Sequence, residues 1–211
     1  MTCRSDRSQI AVIRLSRVRT LNGARAPIAY IANNFETQVS ADIARNFRGS
    51  LFRKAALHAN AWKVAKAEVE LCTGRGSYRG HTAEDSNSLE NLSPLSAKLV
   101  LPPAYRGSRV SDRQIVQATP RRVAVVGNYR WMAKQINLSA CLEAADPVMQ
   151  DAGIGIDIVG EVPDSFRKAW ETRVKATRFH GFVEDLGNFL AERRMGLVIE
   201  ETGGGFKNKI L

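Results

Sequence analysis

The chain has 211 residues, 31 of them Lys or Arg against 21 Asp or Glu, for a formal net charge of +10, with 44% hydrophobic and 25% charged residues. That balance is ordinary for a soluble globular protein of one large or two small domains, and the charge favours an anionic partner: nucleotide, nucleic acid or an acidic membrane surface. No apolar run approaches the roughly 18 residues that span a bilayer, and the polar start "MTCRSDRSQI" excludes a secretory signal.

In chain order, "IAVIRL" and "PIAYIA" read as strands. Leu51, Ala55, His58, Trp62, Ala65 and Val69 trace one stripe of a long helix, predicted to be its buried face. Arg53, Lys54, Lys63 and Lys66 flank that stripe and should stay outside. The polar, Gly-rich "CTGRGSYRGH" is expected to be a loop, either unstructured or holding an anion between Arg75 and Arg79. "TAED" at 82–85 is a capping-box pattern that opens another helix. "KLVLPP" is a strand stopped by prolines, and 104–118 lack any sustained apolar period, as a linker does.

From residue 119 onward the rhythm is clearer. "RRVAVVGNY" is a buried parallel strand meeting a glycine. Leu138, Cys141, Leu142 and Ala145 mark the apolar face of the helix that follows. "IGIDIVG" is a second strand. Asp164 is a plausible N-cap for a helix presenting Phe166, Ala169, Trp170 and Val174. "TRFHGFV" gives a third strand, "DLGNFLAERR" a short helix and "MGLVIE" a fourth strand. Alternating strands and helices with short connections imply a parallel sheet wrapped by helices.

Chemistry in such sheets concentrates where carboxyl ends of strands lead into helices. Two loops there suit phosphate. "VGNYRWMAK" offers Gly127 and, on the first turn of the next helix, Lys134; "GGGFKNK" offers Gly203, Gly204, Gly205 and Lys207. Each alone is equally a tight turn or a solvated lysine. Cys3, Cys72 and Cys141 have no metal-ligand spacing and read as idle thiols of a reducing cytoplasm. Glu200 and Glu201 point to opposite faces of a strand and so do not form an acid/base couple. His81 and His180 are lone histidines, expected in packing or surface roles.

Taken jointly and in order, "VAVVGNYRWMAKQINL…GIDIVGEVP…TRFHGFVEDL…GLVIEETGGGFKNKIL" resembles the donor-binding domain of a group 1, family 4-like glycosyltransferase of GT-B architecture. "PIAYIANNFE" resembles the family's "H-N-x-E" strand end, with Asn33 in place of the His, and Asn128 stands where many relatives carry an arginine. The resemblance implies an α/β, GT-B-like fold: a partial amino-terminal, acceptor-side domain over 1–103, a linker over 104–118, and a partial Rossmann-like donor-binding domain over 119–211. It implies that the chain is the middle of such an enzyme, ending inside the donor domain.

The implied activity is transfer of a sugar from a nucleotide-diphosphate sugar to an unknown glycan, lipid-linked or small-molecule acceptor, with retention. No cofactor is implied and no metal site. Gly127, Lys134, Gly203, Gly204, Gly205 and Lys207 would hold the diphosphate, and Gly181, Phe182 and Val183 would face the nucleobase. Asn34 and Glu36 are the acceptor-side candidates, with a helix-start carboxylate as the other reading of Glu36. The implied location is cytoplasmic, with peripheral contact at an anionic inner membrane face through the basic side of the long helix. Two rivals stand beside this reading: a module that binds nucleotide without turnover, and a basic nucleic-acid-binding protein. The second is disfavoured because the basic residues are spread along the chain rather than gathered with stacking aromatics.

Overall fold

The computed structural model describes residues 29–32, 34–73, 77–80, 82–94, 98–100 and 115–202. They fall into two compact units that part near residue 104. Both are α/β, and both sheets are wholly parallel.

The first unit runs β1 (Ala29–Ala32), α1 (Glu36–Asn46), α2 (Leu51–Thr73), β2 (Ser77–Gly80), α3 (Ala83–Leu92) and β3 (Lys98–Val100). Its strands lie in the order β1-β2-β3. The capping pattern at 82–85 does what its spacing predicts. The Thr82 hydroxyl accepts from the Asp85 backbone N–H at 3.0 Å and donates to the Asp85 carboxylate at 2.6 Å, which starts α3. Ala32, Cys72 and Leu89 form a small core with Phe35 and Leu92 against it.

Two expectations fail in this unit. The Gly-rich segment after Cys72 is not simply a loop: its middle is β2, the central strand, paired on both sides with Ala29–Ala32 and Lys98–Val100. A parallel ladder is made by backbone groups, so a strand hydrogen-bonded on both edges forms there even without an apolar run. The second failure is the buried face of α2. Ala61, Glu68 and Cys72 are the buried residues, whereas Leu51 is 82% exposed, Trp62 67% exposed, and Ala55 and Val69 are exposed as well. Small residues let α1 approach, and Glu68 is drawn inward by the hydrogen bonds it accepts at the start of α1. Arg53, Lys63 and Lys66 are exposed, with Lys54 half-buried. The strand expected at "IAVIRL", together with Asn33, Arg75 and His81, lies outside the described residues.

The second unit runs β4 (Arg122–Val126), α4 (Met132–Asp151), β5 (Gly155–Val159), α5 (Asp164–Glu171), β6 (Thr177–Gly181), α6 (Leu186–Ala191) and β7 (Met195–Gly196). The strand order is β6-β5-β4-β7. β4, β5 and β6 are laid down in one direction, and the chain then crosses back to place β7 on the other side of β4. Right-handed crossovers therefore put α4 and α5 on one face and α6 on the other. The α4/α5 face carries the core: Val123, Val125, Ile156 and Ile158 meet Leu138, Leu142 and Trp170, with Ala145, Phe166, Val174 and Phe179 at its margin. The periodicity assigned to α4 holds, with Leu138 and Leu142 fully buried.

Local details differ. The residue capping α5 is Pro163, and Asp164 is the first helical residue, where its charge faces the helix N-terminus without a side-chain cap bond. Ala169 is exposed. The fourth strand is an edge of two residues, Met195–Gly196, prolonged by a single Leu197 N–H bond to the Ala124 carbonyl.

Candidate functional site

The strand order reverses at β4, since β5 was added on one side of it and β7 on the other. In open parallel sheets the crevice for ligand lies beyond the carboxyl ends of the two strands at such a point. Here those ends lead to Gly127–Lys134 after β4 and to residues 197–202 after β7.

The floor of this edge is a row of glycines. Gly127 closes β4 and donates its N–H to Val159 O at 2.9 Å, while Gly160, at φ +112°, donates to Gly181 O at 2.7 Å. A Cβ on Gly160 would overlap the Gly127 carbonyl, so both its φ and the closeness of the neighbouring strand end require glycine. Gly181, also at positive φ, ends β6 at a shift of register against Val159. Beyond it Phe182 is exposed and Val183 is half-buried.

After Gly127 the chain turns through Tyr129, whose N–H bonds to Glu161 O at 2.8 Å and whose ring is buried. Burial, with Cys141 and Glu200 adding to it, pushes the Tyr129 hydroxyl well above its ordinary range, so it stays a neutral donor, here toward Val125 O at 3.3 Å. α4 then begins behind Trp131, which supplies no side-chain cap. The helix start thus presents backbone donors and a positive partial charge at the sheet edge. Lys134 sits on that first turn as its spacing predicts.

Glu200 occupies the other lip. Its nearly buried carboxylate forms an ion pair with Lys134. Two residues on, Thr202 is buried and clamped to α4. Its N–H bonds to Asn137 Oδ1 at 2.8 Å, and Asn137 Nδ2 donates to Thr202 O at 2.7 Å. The segment that leads into Gly203 is thereby fixed alongside Lys134. Glu201, by contrast, is exposed, in keeping with the two glutamates pointing apart. Gly203, Gly204, Gly205 and Lys207 lie outside the described residues.

In the first unit, Asn34 and Glu36 share the turn after β1, with Asn34 Nδ2 donating to Glu36 Oε1 at 3.0 Å. Two acidic side chains hold this turn from below. Buried Glu68 accepts from the N–H groups of Glu36 at 3.1 Å and Thr37 at 2.8 Å, which makes it a distant cap for α1, and Asp85 accepts from Phe35 N–H at 3.3 Å. Glu36 lies in the first turn of α1, where an acidic residue complements the helix dipole.

Sequence reasoning missed a cluster on the α6 face. Asp157, at the centre of β5, is wholly buried. It accepts from Arg122 Nε at 2.8 Å and Arg122 Nη2 at 2.6 Å, from Arg193 Nε at 3.0 Å, and lies 2.7 Å from His180 Nε2. Burial would push its carboxyl up, but the hydrogen bonds from Arg122, His180 and Arg193 and the Arg122 charge outweigh this and hold it far below the usual carboxylate range. His180 is therefore paired rather than lone, and it packs edge-on to Phe189 with ring centroids 5.0 Å apart. The available signal was an acidic residue inside the apolar "IGIDIVG", which requires a buried cationic partner. Cys72 and Cys141 behave as expected of idle thiols: burial, helped by Glu68, raises Cys72 to about 11, and burial raises Cys141.

No protein-family model matches the chain, and no curated protein does. Among solved structures, a crystal structure of TarM is similar at 15% identity and a TM-score of 0.49, over 62% of this chain. The similar region spans 27% of the TarM chain.

Proposed function

We propose that the second unit is the nucleotide-sugar site of a GT-B-type glycosyltransferase, taking a nucleoside-diphosphate sugar as donor and passing the sugar, with retention, to an acceptor at the Asn34–Glu36 turn. The observation that carries the reading is the meeting of two sequence-remote loops at the β4/β7 reversal. The start of α4 with Lys134 comes against the Glu200–Thr202 segment that enters the glycine run. Two parallel α/β units are also the parts that a GT-B plan calls for.

Breaking the anomeric C–O bond leaves a diphosphate with added negative charge. Fixed positive groups aimed at it stabilise the transition state more than the ground state. In this proposal Lys134, the α4 N-terminus, the Gly203–Gly205 amides and Lys207 supply that charge, and Phe182 with Gly181 and Val183 flanks the nucleobase. Nucleotide sugars are cytoplasmic metabolites, which puts the proposed reaction on the cytoplasmic side.

The Lys134–Glu200 pair favours a second reading, a unit that holds nucleotide without turnover, because an incoming diphosphate must compete with a carboxylate already on the lysine. Calorimetric titration of the chain with UDP, GDP and ADP, beside an assay of sugar release from the matching donors, separates the two. One diphosphate should bind, and Lys134→Ala should weaken it by about one to two decades, the loss of one charged hydrogen bond. Release of sugar supports the transferase, and binding without release supports the holding unit. Equal binding by wild type and Lys134→Ala sinks both.

A further inference from the structure

α2 has two faces, and only one is used by the fold. Ala61, Glu68 and Cys72 turn inward, while Leu51, Phe52 (92% exposed), Ala55, Ala59, Trp62 and Val69 turn outward. Cations lie among these apolar residues. Arg53, Lys63 and Lys66 are exposed, and the Lys66 ammonium stands 5.8 Å from the centre of the Trp62 ring. Glu70 is the acidic residue nearest this face. Solvated helix faces are usually polar, so this much exposed apolar surface calls for an occupant.

We propose that the outward face of α2 docks on an anionic lipid bilayer, lying in its interface. A helix that mixes Trp, Phe and Leu with Lys and Arg suits that depth: the indole takes the headgroup level, the apolar side chains reach the acyl boundary, and the lysines extend to lipid phosphates. A second copy of the chain fits less well, because a two-fold contact through this face would bring Lys63 and Lys66 against their own counterparts. Insertion is shallow, since no helix among the described residues is long and apolar enough to cross a membrane. The surface is independent of the sugar-transfer reading.

The test is co-sedimentation of the full chain with vesicles of phosphatidylcholine alone and of phosphatidylcholine mixed with phosphatidylglycerol. Binding should require the anionic lipid, be released by salt, and blue-shift Trp emission in wild type and Trp131→Phe but not in Trp62→Phe. The double variant Phe52→Ser/Trp62→Ser should lower partitioning roughly tenfold or more. Lys63→Gln and Lys66→Gln should each lower it about fivefold. All four side chains are exposed, so circular dichroism should be unchanged, and nucleoside-diphosphate binding by these variants should equal that of wild type.

The proposal is overturned by absent binding, by equal binding to neutral vesicles, or by variants that bind as wild type does. It is also overturned if Phe52→Ser/Trp62→Ser dissolves a lipid-free dimer seen in sedimentation velocity, which would assign the face to self-association.

Discussion

Substituting Asp157 by Asn removes the charge that holds Arg122, Arg193 and His180 on the α6 face while keeping the side chain's shape. Asp157 is fully buried and the two arginine side chains are 19% and 12% exposed. The substitution therefore leaves two largely desolvated guanidinium groups sharing one neutral acceptor. Breaking a buried pair from one side costs about 3–5 kcal/mol, a large part of the roughly 5–15 kcal/mol that holds a domain folded. Two units make single-transition unfolding unsafe to assume. The comparison is best made in a Trp62→Phe background, where the remaining Trp131 and Trp170 both report on the second unit. With a urea slope of about 1–3 kcal/mol/M, the midpoint should fall by more than about 1 M.

The pH dependence gives a second arm to that test. A carboxyl whose folded pKa lies below its unfolded value of about 3.9 stabilises fully above that value and loses its contribution as pH falls through the folded pKa. The wild-type advantage should thus be flat from neutral pH down to about 5 and shrink below about 4. A difference under about 1 kcal/mol at neutral pH, or one unchanged in acid, would refute the account of Asp157 as the anchor of this face.

The carboxyl edge yields two further expectations. Gly160→Ala must move the Gly127 carbonyl and adopt a left-handed backbone, so it should destabilise the second unit by more than about 1 kcal/mol in the same urea assay and weaken nucleotide binding at the displaced Gly127 turn. Asn137→Ala leaves the buried Thr202 N–H and carbonyl without their partner, at about 1–3 kcal/mol each. Hydrogen exchange at Thr202 should rise selectively in that variant.

Legibility in the sequence differed between the two units for a physical reason. The second unit is built from strands whose both faces are covered, so "RRVAVV" and "IGIDIV" announce themselves as apolar runs, and Gly127 and Lys134 fall where strand-to-helix spacing puts them. The Glu200 carboxylate on Lys134 was not legible, because residues 66 positions apart meet only through the crossover that carries β7 back beside β4. Asp157 escaped for a related reason: its partners come from β4, β6 and the turn after α6, and no spacing rule links them. In the first unit β2 is specified by its neighbours' backbones rather than by its own side chains.

The α2 helix shows why periodicity alone misassigns a face. Its sequence contains two stripes, one of large apolar residues at Leu51, Trp62 and Val69 and one of small or polar residues at Ala61, Glu68 and Cys72. Hydrophobic weight selects the first. The fold selects the second, because α1 packs close to α2 and because Glu68 must reach the two N–H groups at the start of α1. A buried carboxylate that caps a neighbouring helix makes one face obligatory, and bulk on the other face cannot override it. Paired substitutions by leucine test this. Ala61→Leu adds bulk where only 9% of the residue is exposed and should cost about 1–3 kcal/mol by overpacking. Ala55→Leu adds the same bulk on the exposed stripe and should change stability by less than about 0.5 kcal/mol. Thermal unfolding followed at the helix band distinguishes them, and a larger loss at Ala55 than at Ala61 would return the buried face to the Leu51–Trp62 stripe.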